Sequence, residues 1–315
     1  MAKAGAKPIT ISEYLEWVGM VGQGLSRKAA AAALGRPLDS IRNPRVRRNM
    51  KAQGVDLAAV ERALKRLPAE TKPTYEPLTL PLDNALVWGD FHMPHYNRDM
   101  VRRAFTIVNK HFPQVDTAIF GGDTFDFASI SQHPHTETEP DLEDNLEATK
   151  LLLMACGEVF KRQVFCNGNH DKRVAKKLDA GLTLERLIYA ALAGDRCASE
   201  IIVTELDYLL LGDSWLIGHP SAYSGQGGKT PSDLADKYQR NVITFHNHVA
   251  GMSPSKSGQY WGIDAGHMTV QARHNYASMA LTKHVNWKGG FVIISDKTAF
   301  TFYEGATDWT WWGTF

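Results

Sequence analysis

Cysteine is scarce in this chain: Cys156, Cys166 and Cys197 are the only three in 315 residues, and none forms a CxxC pair. An odd, scattered set argues against a disulfide scaffold or a thiolate zinc site and fits a reducing compartment, so a cytoplasmic protein is expected. Long apolar runs are missing too. No stretch approaches the ~18 residues that a membrane helix needs. Met1 to Thr10 holds Lys3 and Lys7 with no apolar run after them, so no secretory leader is expected. Internal repeats are absent. What remains is a globular composition, 43% hydrophobic and 22% charged, with length enough for one large or two ordinary domains.

The net charge of +1 hides an asymmetry. Residues 1–72 hold 14 Lys and Arg against 6 Asp and Glu, which leaves 21 against 28 for the rest. A basic first segment on a mildly acidic body implies two units with different partners.

Residues 1–72 read as a small all-helical domain. Leu15, Val18 and Val21 recur at helical spacing, and Ser26 can cap an alanine-rich helix from Arg27 to Leu34. Gly35-Arg36-Pro37 breaks it, and a short helix from Leu38 leads to Arg42, Arg45, Arg47 and Arg48. Helix, glycine turn and helix followed by arginines resemble a helix-turn-helix unit whose four arginines would contact DNA. Pro44 interrupts the recognition helix, and a helical appendage with a solvated basic face is the other reading. Pro73, Pro77 and Pro81 then mark residues 73–83 as an extended linker.

From residue 84 to residue 315 strands alternate with helices. Ala85–Trp88, Thr117–Phe120 and Val164–Cys166 are short apolar runs of buried-strand type, separated by helical patterns over Met100–His111 and Leu142–Arg162. Such an order predicts a layered α/β domain whose functional loops leave the C-terminal strand ends. A further helix is expected over Lys172–Leu192. Gly212-Asp213 and Asp296-Lys297 mark hairpins. The aromatic run from Asp308 to Trp312 suits packing or an oligomer contact.

The strand exits carry the chemistry. Asp90 and His92 follow the first strand, two residues apart and so on one side of an extended segment. Asp123 follows the second and Asn169-His170-Asp171 the third. His219 follows Trp215–Ile217, and His246 and His248 follow Val242–Phe245. One strand-end Asp or His is ordinarily a turn former, but five such exits in order are not a product of composition.

The order Asp-x-His, Gly-Asp, Gly-Asn-His-Asp, His, His-x-His resembles the calcineurin-like metallophosphoesterase superfamily, over roughly residues 84 to 305. The layout is also similar to phage-encoded members, some near the DNA-repair exonucleases; for a phage protein the compartment would be the host cytoplasm. The resemblance implies a four-layer double β-sandwich flanked by helices, with two divalent ions at the strand ends. Asp90, His92 and His248 would hold one ion, Asn169, His219 and His246 the other, and Asp123 would bridge them. His170 would be the general acid and Asp171 its orienting partner. A hydroxide bridging the ions would attack phosphorus in line. The family has Gly before its last His-x-His, where this chain has Phe245.

The donor set agrees from its own chemistry: carboxylate, imidazole and amide without thiolate suit manganese first, with iron, zinc or nickel as alternatives. Two such ions about 3.5–4 Å apart acidify a water and clamp both oxygens of an in-line displacement. Lys172 and Arg173 can bind a phosphate oxygen or lie exposed on a helix. His133 and His135 can touch substrate or belong to a mobile loop. Asp126 can support Asp123 or His92, while His267 and His274 read as structural. Ser224–Lys229 reads as a flexible lid. A metal-dependent phosphodiesterase acting on DNA is the leading expectation, because Lys and Arg bind backbone phosphates. The alternatives are a phosphomonoesterase or small-nucleotide phosphodiesterase whose first domain serves assembly, and a DNA-binding protein with an inactive phosphoesterase domain.

Overall fold

The computed structural model describes residues 13, 20, 26–36, 76–131, 139–178, 182–274 and 286–313. Two compact units divide the chain, Met1–Tyr75 and Glu76–Phe315. In the first, helix α1 (Arg27–Ala33) starts where Ser26 Oγ accepts from Ala29 N, and Arg36 pairs with Glu13 at 2.7 Å. Arg42, Arg45, Arg47 and Arg48 lie outside the described residues, as does the second helix of the helix-turn-helix pattern.

The second unit is a two-sheet sandwich with helices on its outer faces. One sheet orders its strands β12 (Thr298–Tyr303), β11 (Gly290–Ser295), β2 (Ala85–Trp88), β3 (Thr117–Phe120), β4 (Arg162–Phe165) and β5 (Glu200–Val203). The other runs β1 (Thr79–Leu80), β6 (Tyr208–Leu211), β7 (Trp215–Gly218), β8 (Asn241–Thr244), β10 (Trp261–Ala265) and β9 (Ala250–Pro254). Helices α2 (Arg98–His111), α3 (Leu142–Gly157), α4 (Arg173–Leu178) and α5 (Leu184–Leu192) fall between strands of the first sheet, and α6 (Lys229–Tyr238) between β7 and β8.

The apolar runs lack alternation because both strand faces are covered. Ala85, Val87, Ile119, Val164, Val292 and Ile294 point inward, where they meet Leu209, Ile217, Ile243 and Ile263 of the facing sheet. Leu86, Trp88, Ala118, Phe120, Phe165 and Phe291 point outward onto Ala104, Ile107, Leu152 and Ile188 of the helices. Beyond the second sheet, Leu216 and Val242 meet Ala235 of α6.

Three sequence expectations are corrected. Part of the span assigned to the linker is an edge strand: β1 pairs in parallel with β6, and Leu80 is buried, so the prolines shorten the strand rather than exclude it. The long helix ends at Gly157, which lets Arg162 open β4. Lys172–Leu192 splits into two helices, the second capped by Thr183 Oγ1 on Arg186 N. At the C-terminus, Trp309 and Trp312 pack on the core, while Trp311 is 78% exposed.

Strands β2, β3 and β4 run parallel to one another, as do β7 and β8. The five polar exits are therefore the C-terminal ends of the central strands of both sheets, gathered at one end of the sandwich. No helix among the described residues is long and apolar enough to cross a membrane.

Candidate metal centre

Backbone strain marks the exits. Asp90, His92, Asp123, His246 and His248 all have positive φ, between 47° and 82°. Non-glycine residues adopt this region rarely, and it is held only where surrounding contacts impose it. Here the loops interlock. His92 N donates to Asp123 O, His246 N to Asp90 Oδ2 at 2.9 Å, and His170 N to Asp123 Oδ1 at 2.8 Å. Gly168 is required by closeness: a Cβ there would stand 2.1 Å from Asp123 N.

Phe245 fits by the same means. Its ring is buried between the sheets, and Cβ atoms added at Gly121 or Gly89 would meet it at 2.1 Å and 2.7 Å. The glycines that directly follow β2 and β3 make room for this ring, and His246 and His248 enter the cluster beside it.

The side chains converge in two groups able to hold an ion, Asp90 with His92 and His248, and Asp123 with His219 and His246. A third overlapping group joins His92, Asp123 and His170. Asp123 Oδ2 lies 3.2 Å from His219 Nε2 and 3.8 Å from His92 Nε2, so it reaches both. Asn169 Oδ1 is 3.2 Å from His219 Nε2. Asp90, His92, Asp123, His219 and His248 are buried, and Asn169 and His246 half-buried.

The hydrogen bonds fit a cation. His92 Nδ1 donates to Asp126 Oδ1 at 3.2 Å, which turns its Nε2 lone pair onto His248 Nε2, 3.0 Å away. Asp90 Oδ1, 3.6 Å from that same His248 nitrogen, is buried with no hydrogen-bond partner among the described residues. His248 Nε2 can donate to only one of these acceptors, and buried lone pairs short of donors are costly unless a positive charge lies among them.

The charges are strongly coupled. Burial raises the Asp90 carboxyl, but His248 and His219 outweigh it and hold it at about 2. Burial also opposes ionisation of Asp123, yet His219 and His170 keep its pKa well below the usual range. Burial and neighbouring His170 bring His92 down to about 4, so it is neutral at pH 7. For His219, burial is overcome by Asp123 and Asp90, and its pKa rises to about 9.

The carboxylate of Asp171 bonds backbone amides rather than the His170 ring. Its two oxygens accept from Phe125 N at 3.0 Å and Gly168 N at 2.8 Å, tying together the loops after β3 and β4. Burial and the charge of Asp123 raise its pKa to about 6. Asp126 is the partner of the imidazole: its Oδ1 accepts from His170 Nδ1 at 2.8 Å. Arg173 caps the arrangement, with Nη1 2.7 Å from Asp126 O and Nη2 2.8 Å from His170 Nε2. Lys172, in the turn just before α4, is half-buried without a side-chain bond among the described residues, and His133 and His135 lie outside them.

The chain pattern left other members unassigned to the site. Trp287 packs on His248 with ring centroids 4.0 Å apart, and His267 and His274 line the same wall. Asp264 accepts from Gly228 N, Thr244 Oγ1 and Asn247, which pins the glycine-rich loop beside the His246–His248 turn. That loop is an anchored wall rather than a free lid.

No protein-family model matches the chain, and no curated protein matches it by sequence. Among solved structures, the crystal structure of Pseudomonas putida nuclease MPE aligns at a TM-score of 0.28 and 11% identity, covering 69% of this chain and 87% of that one.

Proposed function

We propose that this chain is a metal-dependent phosphodiesterase that cleaves DNA at a centre of two divalent ions, manganese by its donor set. One observation carries the reading: five strand exits bring carboxylate and imidazole donors into two adjoining groups, with the Asn169 amide beside the second and Asp123 within reach of both. In this reading Asp90, His92 and His248 hold one ion, Asn169, His219 and His246 the other, and Asp123 serves the two. Bound ions supply Lewis-acid charge to phosphoryl oxygens and acidify water at the site.

The remaining residues act on the ester. His170, fixed through Nδ1 by Asp126, presents Nε2 as the acid for the departing oxygen. In the free protein Arg173 donates to that nitrogen. A phosphate oxygen that draws the guanidinium away frees Nε2 to take up a proton from solvent water for delivery to the departing oxygen, and the guanidinium then pairs with the anionic ester. The basic charge of residues 1–72 supports DNA as the substrate.

The test uses the full chain with manganese, supplied with a bis-aryl phosphate, a mono-aryl phosphate and linear and circular DNA. Diester and DNA cleavage are expected. DNA cleavage alone should fall when Arg42, Arg45, Arg47 and Arg48 are all replaced by alanine, and when salt is raised. Monoester turnover indifferent to both changes would replace this reading with a phosphomonoesterase. Ion binding without turnover would leave a DNA-binding protein.

A further inference from the structure

A histidine that ligates a metal ordinarily donates its other ring nitrogen to a carboxylate, a carbonyl or water, which fixes its tautomer and angle. Two candidate ligands here do so: His92 Nδ1 is 3.2 Å from Asp126 Oδ1, and His219 Nδ1 is 3.1 Å from Gly121 O. His248 does not. Its Nε2 faces His92 Nε2 and Asp90 Oδ1, while its Nδ1 is buried with no hydrogen-bond partner among the described residues. Against that ring stands the indole of Trp287, 4.0 Å between centroids and 82° between planes. His267 lies 5.5 Å from both rings and closes the remaining side.

We propose that Trp287 is the positioning residue for His248, its π face receiving the Nδ1–H in place of the missing acceptor. An aromatic face carries negative charge and accepts an N–H, more weakly than an oxygen does. With no carboxylate to raise its basicity, His248 depends on this packing to keep Nε2 aimed at the Asp90–His92 group. This inference rests on the metal reading of the site.

The test compares the full chain with Trp287→Phe and Trp287→Leu, each checked for native circular dichroism. Manganese affinity is measured by calorimetry, and ring N–H signals by imidazole ¹⁵N–¹H correlation of the zinc-loaded, diamagnetic protein. Trp287→Phe keeps an aromatic face and should bind manganese nearly as the parent does. Trp287→Leu should lose roughly 10–100-fold, the range seen when a ligand's supporting partner is removed. In the parent, His248 Nδ1–H should resonate upfield of the same protons of His92 and His219, shielded by the indole. A natively folded Trp287→Leu with parental affinity, or an unshielded His248 proton, overturns the proposal while leaving the metal site intact. A parent chain that binds neither ion overturns the metal reading itself, and this inference with it.

Discussion

Asp126 Oδ1 stands 2.8 Å from Nδ1 of His170, and the same oxygen takes Nδ1 of His92 at 3.2 Å. One carboxylate thus sets the angle of a candidate ligand and of the candidate acid together. Burial disfavours its charge, but the two imidazoles hold its pKa far below the usual carboxylate range. Replacing Asp126 with Ala removes both anchors and should weaken manganese binding roughly 10–100-fold. Asp126→Asn keeps an oxygen for the two N–H groups and should lose less. Titration of manganese into the three proteins decides this, and equal affinities would remove Asp126 from the site's support.

Phe245 and Gly121 form a matched pair. A methyl group added at Gly121 would sit 2.1 Å from the Phe245 ring. Gly121→Ala should therefore destabilise the fold by about 1–3 kcal/mol, the usual cost of overpacking a core. Combined with Phe245→Ala, the same change should cost less than the two single changes added together, because the cavity then has room for the methyl. Denaturant unfolding of the four proteins measures the coupling. Strict additivity would mean that the ring moves aside freely.

This pair shows where the sequence is legible and where it is not. The runs ending at Trp88, Phe120 and Phe165 announce buried strands, and Asp90, Asp123 and Asn169 mark their exits, because local pattern and local chemistry coincide there. Partners from distant segments leave no such trace. Nothing adjacent to Asp171 says that it binds two backbone amides, and nothing near Asp126 says that it takes two imidazoles. Trp287 lies 39 positions from His248 and follows no strand exit. Strands β9 and β10 carry no such mark, since Gly251 and Gly262 interrupt their apolar residues, and β5, whose run is only Ile201–Val203, is a half-exposed strand at the sheet edge.

Metal binding at this centre should release a proton. His219 has its pKa raised from 6.5 to about 9, because Asp123 and Asp90 outweigh its burial. The sign is that of a raised base: the protonated ring stabilises the fold below its unfolded pKa, and this contribution fades as pH rises through about 9. An ion must displace that proton, so affinity for the His219 group should rise about tenfold per pH unit toward pH 9. His92, already neutral at pH 7, adds little to the slope. Calorimetry in buffers of different ionisation enthalpy reads the proton directly. Affinity independent of pH between 6 and 8 would show that His219 is not displaced.

His170 and Arg173 should behave as one unit. His170→Ala leaves the groups of Asp90 with His92 and His248, and Asp123 with His219 and His246, complete. It should retain bound manganese yet turn over roughly 10²–10⁴ times more slowly, the range for a lost general acid. The loss should shrink for a nitrophenyl ester, whose leaving oxygen needs no proton. Arg173→Ala should raise KM through the lost phosphate contact and disturb His170 through the lost bond at Nε2. Because the two side chains touch, the double variant should lose less than the product of the single losses. Multiplicative losses would mean that Arg173 meets the phosphate independently of the acid, and loss of metal from His170→Ala would make that imidazole a ligand.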